Sequence, residues 1–172
     1  MAVRRRMTAL LYGIALSVFA LDRLSKLWVE HTLVHRPPIR VIPGVLSLTY
    51  TTNSGGAFGI GRSAPWLFVG ATVAVGAAIV IASLRPMRPS VAVALGLILG
   101  GAAGNLTDRI VNGAALRGEV TDFIDFHVWP VFNLADTAIV IGAILLAIVS
   151  FGDDREDRDA ENGMPAGADE PA

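Results

Sequence analysis

APWLFVGATVAVGAAIVIASLRPMRPSVAVALGLILGGAAGNLTDR, residues 64–109, holds two apolar runs joined by a short basic turn. The first run, 64–84, has no charge over 21 residues; the second, 90–107, has none over 18 before it meets Asp108 and Arg109. A helix that crosses a bilayer needs roughly 20 apolar residues, with about 17 to 25 tolerated. The turn Arg85-Pro86-Met87-Arg88-Pro89 is short and stiff, so the two runs form a hairpin. Two more runs flank it: 7–28, interrupted near its end by Asp22, Arg23 and Lys26, and 128–151, which carries only Asp136. Four spans follow. The expected fold is an all-α polytopic membrane protein with four transmembrane helices and a small extracytoplasmic β-sheet between helices 1 and 2.

Composition agrees with this reading and excludes an ordinary soluble domain. The chain has 172 residues, 53% of them hydrophobic, with a mean hydropathy of +0.56 and its apolar residues gathered in blocks. There is no cysteine, which removes disulfides, thiolate metal sites and a cysteine nucleophile. The three histidines, His31, His35 and His127, are too sparse for a metal cluster. Arg4, Arg5 and Arg6 before an apolar run resemble the start of a secretory signal. No small-x-small cleavage site follows, and the run is read as a retained first helix.

Lysine and arginine placement sets the direction. With the N-terminus inside, the cytoplasmic segments hold Arg4, Arg5, Arg6, Arg85, Arg88, Arg155 and Arg158; the longer outer loops hold Arg36, Arg40, Arg62 and Arg117. Both termini are expected in the cytoplasm. Residues 1–152 read as one membrane domain, with 29–63 as an outer sheet region. Residues 153–172, charged and then rich in Gly, Pro and Ala, read as a disordered tail. Within 29–63, the alternation of Leu48 and Tyr50 against Ser47, Thr49 and Thr51 marks a strand. The glycine-rich turn 53–59 follows, read jointly as a sheet turn and a substrate contact.

This threading gathers four aspartates at one membrane level: Asp22, Asp108, Asp122 and Asp136. Carboxylates at membrane depth are rare and costly, which makes each a candidate for function. Asn105 and Asp108 share a helix face at i,i+3, as do Asn133 and Asp136. Lys26 stands one turn from Asp22, and Arg109 follows Asp108, so these two carboxylates read as an ion-pair clamp held charged by neighbours. Asp122 and Asp136 have no basic residue near them in sequence. Strand alternation sets Asp122 on the face of Val120, Ile124 and Phe126, with Asp125 on the other face beside Thr121 and His127. Two close carboxylates in an apolar setting share a proton, the basis of aspartyl-protease chemistry. Spacing alone leaves a structural polar network or an ion pathway equally open, and a small transporter or a non-catalytic assembly factor as rival classes.

Five motifs in order resemble the lipoprotein signal peptidases (signal peptidase II): Asp22-Arg23-Leu24-Ser25-Lys26, Asn53-Ser54-Gly55-Gly56-Ala57-Phe58, Gly104-Asn105-Leu106-Thr107-Asp108-Arg109, Thr121-Asp122-Phe123-Ile124-Asp125-Phe126 and Phe132-Asn133-Leu134-Ala135-Asp136. The resemblance implies a bacterial cytoplasmic-membrane endopeptidase with its site at the outer leaflet. It implies cleavage of diacylglyceryl-modified prolipoproteins just before the lipidated cysteine, with Asp122 and Asp136 as catalytic pair. Asp22, Asn53, Gly55, Asn105, Asp108, Arg109, Asn133 and Ala135 fall on supporting positions. A monomer among membrane lipids is expected, with no cofactor, metal or nucleic acid. Thr121 stands where such proteins more often carry an apolar residue. The 108–122 stretch is longer than usual and the 122–136 stretch shorter.

Overall fold

The computed structural model of the chain describes residues 2–55, 65–113 and 118–162. In chain order these form α1 (Ala2–Leu33), β1 (Ile39–Ile42), β2 (Leu46–Asn53), α2 (Pro65–Ala82), α3 (Pro89–Val111), β3 (Val120–Asp125) and α4 (Leu134–Asn162). Three of the four helices, α1, α3 and α4, are long and apolar enough to cross a membrane. The charge-free run 64–84 yields the shortest helix. At 1.5 Å per residue its 18 residues extend about 27 Å, just under a hydrocarbon core of about 30 Å.

Helix α3 is the centre of the bundle because its glycines let two neighbours approach to backbone contact. Gly96 and Gly100, four residues apart, face α1: an added Cβ would lie 2.7 Å from the Leu11 carbonyl oxygen and 2.5 Å from that of Ala15. Gly101 faces α4 at 2.5 Å from the Ala135 carbonyl oxygen, and Gly142 of α4 reciprocates at 2.7 Å from that of Ala94. Lipid tails are as apolar as leucine, so helices in a membrane associate by close packing, and small residues at four-residue spacing permit it. One apolar cluster, Leu11, Ile79, Ala92 and Leu95, joins the helices at the end of the α2–α3 hairpin. A second, Val29, Leu33 and Phe123 with Leu48, Tyr50 and Ile124 against it, joins α1 to the sheet at the opposite end. At 32 residues α1 is about 48 Å long, so its last turns stand above the bundle as a post for the strands.

The sheet departs from the sequence expectation. It has three antiparallel strands in the order β1-β2-β3, and β3 comes from the α3–α4 connector rather than from between helices 1 and 2. The free edge of β2 needs partners for its backbone groups, and β3 supplies them from Asn53↔Val120 to Ser47↔Asp125. The start of the last helix also differs. Residues 128–133 are not helical: Pro130 disfavours helix at the residue before it, and Phe132 bridges to Ile124 instead. At its far end α4 continues through Asn162, so the first ten residues of the segment read as a disordered tail are helical backbone. Mixed charge without proline is compatible with helix there. Residues 163–172 of that segment and 56–59 of the glycine-rich turn lie outside the described residues.

Gly100→Ala should cost about 1–3 kcal/mol, because its methyl would be forced against the α1 backbone. Gly70→Ala, at a position with nothing within 4 Å of an added Cβ, should leave thermal unfolding in detergent unchanged.

Candidate active site

The site is built around an ammonium group that solvent does not reach. Lys26 is 0% exposed. Its Nζ lies 2.8 Å from Asp22 Oδ2 and 2.8 Å from Asp108 Oδ2, and it donates to Asn105 Oδ1 at 2.9 Å. Asp22 and Asp108 are also 0% exposed, and Arg23 pairs with Asp108 Oδ1 from the other side. Two cations thus balance two carboxylates. Gly104 makes this possible on α3, since any side chain there would collide with the Asp22 carboxylate.

The expected clamp is present, with one partner exchanged. Arg109 does not serve Asp108. Consecutive helical residues point about 100° apart, and Arg109 turns instead to the loops, donating to the carbonyls of Gly55 (2.8 Å), Gly118 (3.3 Å) and Ser54 (3.4 Å). Its guanidinium also sits 5.4 Å from the Phe68 ring centroid, a cation–π contact tying α2 to the site. Arg23 takes the role that sequence adjacency gave to Arg109.

From this charge cluster two asparagines carry order outward. Asn105 turns its carbonyl to Lys26 and its amide nitrogen to Asp136 Oδ1, at 2.8 Å. Asn133 donates to Asp122 Oδ1 at 2.6 Å and to Asn105 Oδ1 at 3.2 Å. Asn133 is not on the first turn of the helix with Asp136, as its spacing suggested. It lies just before α4, and its Oδ1 accepts the Asp136 backbone N–H at 2.9 Å, the bond of an N-cap. Asp22 completes the cap by accepting from the Ala135 N–H at 3.0 Å, placing a carboxylate where the helix dipole favours one.

Asp122, 2% exposed, comes from β3, and Asn53 of β2 donates to its other oxygen at 3.3 Å. Parity holds for Val120, Asp122 and Asp125 as read from the alternation, whereas Ile124, expected on the Asp122 face, packs against the cluster of Val29, Leu33 and Phe123. Val120 and Asp122 face a cavity; Thr121 and Phe123 face α1; Asp125 accepts the His127 backbone N–H at 2.7 Å away from the cavity. Burial, with the Asp136 charge second, pushes the Asp122 carboxyl up to about 7, while the Asn133 and Asn53 amides pull the other way. Because this value lies above the usual 3.8, the folded chain holds a proton there that the unfolded chain releases. The resulting stability is full below about pH 4 and lost as pH rises through about 7.

Asp122 and Asp136 open on one cavity of about 600 Å³. Asn53, Gly55, Asn105 and Arg109 share its polar wall; Phe68, Trp129, Phe132 and Ile139 are on its apolar walls. Of the ten site residues read from sequence, Asp122, Asp136, Asn53, Gly55, Asn105 and Arg109 line this cavity. Asn133 reaches it through Asp122, and Asp22, Asp108 and Ala135 stand behind. Missed in the sequence were the hub role of Lys26 beyond Asp22 and the Arg23–Asp108 pair. Their i,i+3 spacing on the helix was the available signal.

A helical membrane protein with a buried and a half-buried carboxylate on one mostly apolar cleft has the makings of a membrane peptidase. The chain belongs to the signal peptidase II family: the model of that family, described as signal peptidase (SPase) II, matches residues 14–152. It is 46% identical to the lipoprotein signal peptidase of Syntrophomonas wolfei over 151 residues, 87% of this chain and 98% of the relative. It is 41% identical to that of Desulfitobacterium hafniense over 147 residues, 84% of this chain and 94% of the relative. Two solved bacterial membrane enzymes share the fold. One has a TM-score of 0.71 at 29% identity, over 90% of this chain and 92% of its own. The other has 0.68 at 33%, over 79% and 88%.

Lys26→Met should cost about 3–5 kcal/mol, because Asp22 and Asp108 would be left buried beside a methyl group. Loss of folded protein in detergent, or a steep fall in thermal stability, checks this. A near-normal melting temperature would mean that the ammonium is not the hub.

Proposed function

We propose that this protein is an aspartyl endopeptidase of the bacterial cytoplasmic membrane that removes signal peptides from diacylglyceryl-modified prolipoproteins, cutting just before the lipidated cysteine. The observation that carries the reading is the Asp122–Asp136 pair. Both carboxylates are held by an Asn105–Asn133 amide pair and face one cavity, and Asp122 is pushed up to about 7. One proton shared by the two is the working state. The ionised aspartate takes a proton from water as the water oxygen attacks the scissile carbonyl. The protonated one then gives its proton to the departing amine as the C–N bond breaks. Arg109 and Asn53 are the groups at the cavity wall that would hold the peptide carbonyls.

In this reading four spans place both termini in the cytoplasm and the sheet end at the outer leaflet. The acyl chains of the substrate stay in the bilayer beside the apolar wall of the cavity. Each buried methylene adds roughly 0.8 kcal/mol of anchoring, so the lipid confines the scissile bond to the plane of the aspartates. A monomer suffices, since the described residues of one chain hold the whole constellation.

Asp122→Asn and Asp136→Asn should each abolish cleavage of a lipid-modified prolipoprotein in vitro, with the protein still folded. Asp125→Asn should keep most activity. A dead Asp125→Asn beside an active Asp122→Asn would overturn the assignment.

Cleavage should decline as pH rises above about 7, since Asp122 then loses the proton that the leaving amine needs. A kcat that stays level to pH 9 would contradict the shared-proton step. An otherwise identical substrate with an unmodified cysteine should be cut very poorly; equal rates would remove the lipid from the mechanism.

A further inference from the structure

Glu30 lies one turn beyond Lys26 on α1, outside every motif that pointed to the active site. Its Oε1 accepts a hydrogen bond of 2.8 Å from Thr121 Oγ1, a bond between residues 91 positions apart. Thr121 is 1% exposed and uses all three of its polar groups. Its N–H donates to Asp108 Oδ2 at 3.2 Å, its carbonyl accepts from Asn133 at 3.4 Å, and its hydroxyl holds Glu30. Phe123, on the same face of β3, packs on Val29 and Leu33 of the same helix end. The strand is thus fastened to α1 on the residue before Asp122 and the residue after it. Tyr50 lies near the same charge: burial first, then the Glu30 and Glu119 carboxylates, raise its phenol above the usual value.

We propose that the Glu30–Thr121 hydrogen bond is a positioning latch that sets the depth of Asp122 in the cavity, making both residues positioning groups for the peptidase step. The inference rests on the Asp122–Asp136 reading above. Among the described residues no cation pairs directly with Asp122, on which Arg109 and Lys26 act only from longer range; its contacts are amides at 2.6 and 3.3 Å. Its place therefore depends on where β3 is seated. The Asp108 bond to the Thr121 N–H fixes height at the backbone. The hydroxyl bond fixes rotation about the strand, because it acts at the tip of a side chain pointing directly away from Asp122. A threonine is suited to this. Its β-branch restricts rotation about χ1 and so narrows where the hydroxyl can point.

The test uses the full chain in detergent with a lipid-modified prolipoprotein. Thr121→Val keeps the shape and deletes the donor. It should lower kcat on the order of tenfold or more, with KM and melting temperature close to wild type, since small misplacements of a reacting group are felt in the chemical step. Thr121→Ser and Glu30→Gln each retain a donor or an acceptor and should keep most of kcat. Glu30→Ala should resemble Thr121→Val, and the double variant should be no worse than either, the sign of one shared interaction. Wild-type kcat in Thr121→Val, or additive losses in the double variant, would overturn the latch. Asp122→Asn in the same series separates the failures. If it is dead while Thr121→Val is fully active, the latch alone falls; if it is active, the catalytic reading falls with it.

Discussion

Everything at the site depends on one lysine ammonium being fully paired where water does not reach. An isolated ammonium in a low-dielectric interior would surrender its proton or unfold the region around it. Lys26 is matched there by Asp22, on its own helix, and Asp108, on α3, each 2.8 Å away. That pairing also dictates the packing. Asp22 and Asp108 reach the same ammonium only if α1 and α3 lie nearly in backbone contact, which glycines at 96, 100 and 104 allow. Once Asp22 is held, its free oxygen caps α4 at Ala135, and the three long helices share a single fixed point.

The four carboxylates then divide by neighbour rather than by depth. Asp22 and Asp108 touch cations and are spent on structure. Asp122 and Asp136 touch amides. Asn105 stands between Lys26 and Asp136, showing its carbonyl to one and its amide hydrogens to the other, so the ammonium orients Asp136 without pairing with it. A direct lysine contact would hold Asp136 permanently ionised and spoil a shared proton. Neutral asparagines transmit position while withholding charge, which explains why each catalytic-candidate carboxylate is accompanied by one.

Much of this could be read from the chain because two periodicities suffice for it. Charge-free runs of 18 and 21 residues marked the hairpin, and alternation along 120–126 turned Asp122 and Asp125 to opposite faces, as found. What sequence could not supply was partner choice over long separations. Arg109 follows Asp108 in the chain, yet its side chain leaves in another direction and braces the loops at Gly55 and Gly118. Asn133 looked like a helical neighbour of Asp136 at i,i+3 and is its cap, because Phe132 is drawn into a bridge with Ile124. The pairing of β3 with β2 was hidden for the same reason, since the two strands are separated in sequence by α2 and α3.

The two carboxylates of the pair belong to elements of different stiffness. Asp136 sits in the first turn of a helix capped by Asn133 and Asp22 and wedged against α3, with few ways to move. Asp122 rides on a strand at the edge of a small sheet whose other side leans on the post of α1. In the proposed reaction a peptide in the cavity would meet one carboxylate on a capped helix and one on an edge strand. The geometry between them is set by how firmly the strand is seated, not by the bundle. In the proposed reaction, precise placement of Asp122 requires that the small sheet borrow its seating from the helix it packs against. The length of α1 beyond its apolar run is what makes that loan possible: Val29, Glu30 and Leu33 all stand on the extra turns, and all three act on β3.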